Sequence, residues 1–383
     1  MEKTLTGPMT APVAATMERP RDRSIDNLKV ALVAGVIVGH TTIAWTGIGE
    51  WVFEEPHLGE PWFSIISMFL IAAMFGMALF FFIAGMYTAP SLDRKGTRRF
   101  LIDRVFRLGI PMLVFIVAMS PVIEYADPDN AGSTGGFWAF TVDIWWPPAP
   151  GPTWFLGVLL IFSLVYALTR KLAPRRGSAP RSLGVWHLVV AALLVTAVTF
   201  SIRLAVPLGV EVWRLSVGQA PGWIAGFTLG VLAAERRWLA PITPRIAKVT
   251  RRAAWAGVVA GVLALVGIAL LGLDPERLFG GATWESLLFS AIEAVLVVSM
   301  PFWLVDLFRR RFTDQGRIRK EMSRAAFAAF LFHQLVLVGL VLASRFVPWP
   351  PEAEYLLVSV LGVAASYALG SLVVRLPGAS RVI

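Results

Sequence analysis

The chain has 383 residues, of which 56% are hydrophobic and 16% charged, with a net charge of +10 and a mean hydropathy of +0.68. A soluble globular chain carries about a quarter charged residues, so this composition reads as an integral membrane protein and excludes an ordinary soluble domain. Cysteine is absent, which removes disulfides, thiolate catalysis and cysteine-bound metals.

Residues 1–22 are polar and rich in small side chains. They precede the first apolar run, so they read as a disordered cytoplasmic tail and not as a signal peptide. Apolar windows of about 19 residues then mark ten candidate spans, at 28–47, 62–89, 106–123, 153–169, 185–205, 217–234, 252–272, 285–307, 324–343 and 354–374. The pattern predicts an all-α polytopic bundle occupying residues 23–375 as one domain, with 376–383 as a short cytoplasmic tail. With the N-terminus inside, all but four of the 35 Lys and Arg fall in inner segments; the exceptions are Arg203, Arg214, Arg277 and Arg345. That asymmetry is the positive-inside signature. It places both termini in the cytoplasm of a multi-pass cell (inner or plasma) membrane protein and assigns the basic excess to topology, not to nucleic acid. Outer loops are acidic instead, with Glu50, Glu54, Glu55, Glu60, Glu124, Asp127, Asp129 and Asp143.

In the first span His40 stands alone among apolar residues, eleven positions after Lys29. Eleven residues are close to three helical turns and ~16 Å of rise, so a cation at the surface and a titratable base within the bilayer share a face. Intramembrane ionisable groups mark reaction or transport paths by default, and an imidazole with an ordinary pKa near ~6.5 suits proton exchange. His57 lies in an acidic outer loop and reads as solvated; His187, beside Trp186, reads as interfacial.

Between the second and third spans lie Arg98, Arg99, Arg104 and Arg107. Topology alone explains basic residues there, but together they are also able to wrap an anion such as a nucleotide pyrophosphate. The long outer loop carries Asp127-Pro-Asp129, which reads as a turn rather than a metal site, and Trp145-Trp146, an interfacial aromatic pair. Glu293 falls mid-span in Ala291-Ile292-Glu293-Ala294, where a carboxylate needs a His or Arg partner. His333, in Phe330-Leu331-Phe332-His333-Gln334, lies ~14 Å along its helix from the inner surface, a depth like that of His40 that permits a shared cavity. No phosphate-binding glycine loop, zinc-protease motif or dinucleotide fingerprint is present.

These blocks, in order, resemble the acyltransferase-three family of integral membrane O-acyltransferases over about residues 22–375. Asp26-Asn27-Leu28-Lys29 through His40 is similar to that family's Arg-x10-His motif, with Lys in the Arg place. Phe80-Phe81-Phe82-Ile83-Ala84-Gly85-Met86 followed by Arg98-Arg99, Arg104, Arg107 and Pro111 resembles the next block. Trp154-Phe155-Leu156-Gly157, Phe227-Thr228-Leu229-Gly230 and Phe330-Leu331-Phe332-His333 resemble the later ones. The resemblance implies transfer of an acyl group, often acetyl, from acyl-CoA as co-substrate to a hydroxyl of a glycan, lipid or secondary metabolite. No bound cofactor and no metal are expected. On this reading His40 is the general base, and His333 or Glu293 orients it or steadies developing charge. Lys29, Arg98, Arg99 and Arg104 hold the donor's phosphates. Lys29 keeps the charge of the family's Arg but not its two-pronged grip. A proton-coupled exporter, and a lipid-linked glycosyltransferase using the outer acids, are the rival classes.

Overall fold

A computed structural model describes residues 22–48, 51–52, 55, 58–59, 62–67, 71–127, 130, 132, 135–143, 149–173, 182–239 and 242–379. The expectations on the tail 1–21, His57, Asp129, Trp145 and Trp146 lie outside the described residues. The order is α1 (Arg23–Thr46), α2 (Trp62–Ser67), α3 (Ile71–Lys95), α4 (Thr97–Tyr125), α5 (Phe137–Asp143), α6 (Trp154–Leu172), α7 (Val185–Arg203), the hairpin β1 (Glu211–Val212) and β2 (Leu215–Ser216), α8 (Ala220–Glu235), α9 (Pro244–Leu271), α10 (Glu276–Phe279), α11 (Trp284–Arg311), α12 (Arg317–Ser344) and α13 (Pro351–Val373). Ten of these helices are long and apolar enough to span a bilayer. The chain is a multi-pass membrane protein with a helical-bundle fold.

The helices outrun the apolar windows because capping, not hydropathy, sets their ends. Asp22 caps α1 through bonds from the Ser24 and Ile25 amides, and Gly47, with φ of 64°, closes it. Thr243 caps α9, so that helix begins eight residues before the expected 252. The second expected span, 62–89, contains α2 and the start of α3 at Ile71 but ends too early: α3 carries its polar last turn, Asp93-Arg94-Lys95, to Gly96 at φ 72°.

α4 contains two widened π turns, Val105–Gly109 and Phe115–Met119. Pro111 and Pro121 follow each by two residues. A proline lacks an N–H and crowds the carbonyl four residues back, here Arg107 and Val117, and a widened turn absorbs both effects.

α3 and α8 cross with their backbones in contact. A Cβ at Gly226 would collide with the Ala78 carbonyl, one at Gly230 with the Phe82 carbonyl, and one at Gly85 with the Phe227 carbonyl. In a bilayer, where apolar burial between helices gains little, such close approach of small residues is a main source of association. α11 is the most enclosed span, whereas α7 and α9 lie at the periphery and turn residues such as Leu193, Leu194, Leu263 and Leu270 to the lipid. The Asn27 amide bonds the Phe312 and Asp314 carbonyls, and Arg309 pairs with Asp22, so α1 begins where α11 ends. Arg375 lies 3.9 Å from Glu321. Both ends of the described chain therefore sit at one face, which also carries the arginines of α4, α9 and the α11–α12 turn.

Candidate active site

His40 is six residues from the end of α1, so it lies ~9 Å from the face opposite the basic one. His333 of α12 meets it. The ring centroids are 4.8 Å apart, and His333 Nε2 is 3.4 Å from His40 Nδ1. His40 Nδ1 is also 2.9 Å from the Val36 carbonyl, and His333 Nδ1 is 2.6 Å from the Phe330 carbonyl. A carbonyl only accepts, so these partners assign the proton of each neutral ring to Nδ1. His333 Nε2 then presents a lone pair to the His40 Nδ1–H, and His40 Nε2, without a proton, has no hydrogen-bond partner among the described residues. His333 is fully buried, and the ring of Trp51 lies 5.9 Å from that of His40.

His40 forms part of the wall of a cavity of about 350 Å³, shared with Trp51, Glu124, Trp154, Gln334 and Arg214 among others. The wall contains unused hydrogen-bonding atoms: Trp51 Nε1 and Gln334 Oε1 are buried and have no partner among the described residues. Gly151, at φ 45°, makes room for Gln334, since a Cβ there would collide with Oε1. Glu124 is engaged by the Ser120 hydroxyl at 2.8 Å and the Ala149 amide at 3.3 Å. Of the wall residues, Ser120, Ile123 and Glu124 lie at the end of α4, Glu211 and Arg214 in the β hairpin, and Asn130 and 149–152 between α4 and α6, all toward the face opposite the basic one. On the basic side of the histidines, Phe330 packs with Phe80 and Phe155 at centroid distances of 6.1 and 5.9 Å.

The other candidates lie apart from this pair. Lys29 sits at the basic face, 3.6 Å from Asp26 and over the Tyr87 ring at 4.9 Å. Arg104 donates to the hydroxyl of Thr88, the next residue of α3, at 3.3 Å, and its Nε is buried with no partner among the described residues. Lys29 and Arg104 thus converge on consecutive residues of α3 from α1 and α4. Arg98 and Arg99 are exposed on the first turn of α4. Glu293 is held by Arg203, Nη2 to Oε2 at 2.5 Å, with both residues buried. It is not among the residues lining the cavity. Among the described residues no group of three or more His, Asp or Glu is placed to hold a metal ion.

Sequence reasoning left out Trp51, Gln334 as a wall residue, and the partner of Glu293. The signal for the last was present: Arg203 is one of four basic residues that break the charge asymmetry. Three of the four pair with carboxylates that are buried: Arg203 with Glu293, Arg277 with Glu285 at 3.0 Å, and Arg345 with Glu55 at 2.5 Å.

The fold and site together are those of a ten-span membrane protein in which one of two contacting imidazoles, that of His40, lines a polar cavity. The comparison with protein families gives the class a name. The family model described as an acyltransferase domain, type three, matches residues 22–371, and the chain belongs to that family. It is a membrane acyltransferase, with an acyl donor and a hydroxyl acceptor as its partners. No curated protein and no solved structure matches the chain.

Proposed function

We propose that the protein transfers an acyl group, acetyl in the simplest case, from acyl-CoA to a hydroxyl of a glycan, lipid or secondary metabolite, across the cell (inner or plasma) membrane. The observation that carries this reading is the contact between His40 and His333 at the cavity wall. The donor binds at the basic face, taken as cytoplasmic by the positive-inside rule. Arg98 and Arg99 meet its phosphates, and Lys29 and Arg104 flank the point where the pantetheine arm enters between α1, α3 and α4. The arm then passes the Phe80, Phe155 and Phe330 cluster to bring the thioester to His40.

The acceptor enters the cavity from the other face. His40 Nε2 takes the hydroxyl proton as that oxygen attacks the thioester carbonyl. His333 Nε2, facing the Nδ1–H, steadies the imidazolium that forms. His333 takes this orienting role in preference to Glu293, whose charge is already met by Arg203. Collapse of the tetrahedral adduct breaks the C–S bond, and the departing thiolate takes the proton from His40, leaving an ester and free CoA.

Acetyl-CoA turnover by purified protein with a polyol acceptor tests the reading. His40→Ala should fold normally and lose ester formation by at least about 10²-fold, the scale of a positioned general base. His333→Ala should lower kcat with little change in the donor KM. Undiminished turnover in His40→Ala would overturn the mechanism, and turnover without CoA release would overturn the donor.

A further inference from the structure

Of the four basic residues at the face opposite the basic one, Arg214 is the exception to carboxylate pairing. No ion pair or hydrogen bond to it is found among the described residues, and it lines the cavity that contains His40. Its position is costly. Val212 pairs directly with Leu215, so Trp213 and Arg214 form a two-residue turn, and their φ angles are 56° and 59°. Such a turn needs the left-handed region at both central residues and selects Asn-Gly or similar pairs. Trp and Arg here accept that strain, and strain held at the mouth of a cavity points to a functional constraint. Trp213 gains no burial in exchange, being 93% exposed.

The hairpin is firmly rooted. Arg203 Nε donates to the Gly218 carbonyl just beyond β2 at 3.2 Å, while Nη2 is fixed by Glu293. The Leu208 amide donates to Phe279 at 2.7 Å, and the Gly281 amide to Arg203 at 3.0 Å. The buried ion pair therefore anchors the segment that carries Arg214 to the cavity rim. Two carboxylates share the wall: Glu124 already accepts from Ser120 and Ala149, and Glu211 is exposed at the start of the hairpin.

We propose that Arg214 binds an anionic group, carboxylate or phosphate, on the hydroxyl-bearing acceptor, and so selects charged acceptors over neutral ones. This rests on the acyl-transfer reading above. A guanidinium offers either oxyanion paired N–H donors, which makes it the side chain suited to such recognition.

The test uses the full-length protein with acetyl-CoA and three probes sharing a sugar ring: methyl glucoside, methyl glucuronide and glucose 6-phosphate. The wild type should favour one or both anionic probes by about tenfold or more in kcat/KM, as expected for hydrogen bonds to a charged group. The preference should shrink with added salt, because the rim is exposed. Arg214→Gln should remove it by raising the KM for the anionic probe while kcat and the neutral probe change less than about twofold. Arg214→Lys should keep part of it. Arg214→Gly should lose it and yet unfold at a higher temperature, since glycine adopts this φ without strain.

A preference for the glucuronide alone identifies a carboxylate acceptor, and one for the phosphate alone a phosphorylated acceptor. Equal use of all three probes by the wild type, or an Arg214→Gln variant that loses all three alike, would overturn the proposal and leave acyl transfer standing. Absence of any CoA release by the wild type would overturn both.

Discussion

Arg203→Met removes a guanidinium with three contacts: Glu293 Oε2 at 2.5 Å, the Gly218 carbonyl at 3.2 Å and Ser290 Oγ at 3.4 Å. Stranding one charge of a buried pair costs about 3–5 kcal/mol. The lost bond to Gly218 adds about 1 kcal/mol. A loss of roughly 4–6 kcal/mol is a large share of the 5–15 kcal/mol that usually holds a domain together. Glu293→Leu should cost a similar amount by leaving Arg203 stranded instead. The double variant Arg203→Met/Glu293→Leu leaves no charge behind, and should recover to within about 2 kcal/mol of the parent. Unfolding in mixed micelles of rising SDS fraction, followed by circular dichroism, measures each step, and acetyl-CoA turnover is read on the same samples. Single variants that each unfold within about 1 kcal/mol of the parent would refute the claim that this pair is buried and structural. A double variant that folds like the parent but releases no CoA would give the pair a part in activity beyond holding the fold.

Gly230→Ala forces a methyl group against the Phe82 carbonyl, so α3 and α8 must separate. Loss of about 1–3 kcal/mol is expected, seen as a lower unfolding midpoint in the same micelles, and an unchanged midpoint would refute the close crossing. Asp22 supplies a pH test. Its partial burial raises its pKa, but the Ser24 hydroxyl, the Arg309 guanidinium and the Ile25 amide outweigh this and hold it below the ordinary 3.8. A depressed carboxylate pKa stabilises the fold above the ordinary value and ceases to do so as pH falls through the depressed one. Asp22→Asn keeps the cap, since Asn caps as well as Asp, but should lose the part of acid unfolding below about pH 4 that belongs to the Arg309 contact. An identical acid profile in the variant would refute it.

Much of the fold was legible because a bilayer imposes a long apolar run on each span, and ten helices long and apolar enough to span are present among the described residues. The matching depths of His40 and His333 were also legible, being only residue counts along two helices that start at one face. Their 3.4 Å contact was not, because it depends on how α1 and α12 are rotated about their axes. Trp51 reaches His40 from an irregular loop, which no periodicity marks. The Arg203–Glu293 contact joins residues ninety positions apart, and only the misplaced sign of Arg203 in the charge pattern hinted at it. The end of α3 was misjudged because charged Asp93, Arg94 and Lys95 still form a helical turn once outside the apolar layer.

The two widened turns of α4 make its sequence register unusually fragile. Each holds about one residue more than an α-turn, and each such residue rotates everything beyond it by about 100°. Arg104 precedes both turns, whereas Ser120, Ile123 and Glu124 follow them on the cavity wall. Deleting one residue from either turn would give a more regular helix and would swing those three side chains toward neighbouring spans or lipid. Homologous chains should therefore tolerate many substitutions in α4 while conserving its length between Arg104 and Glu124 to the residue.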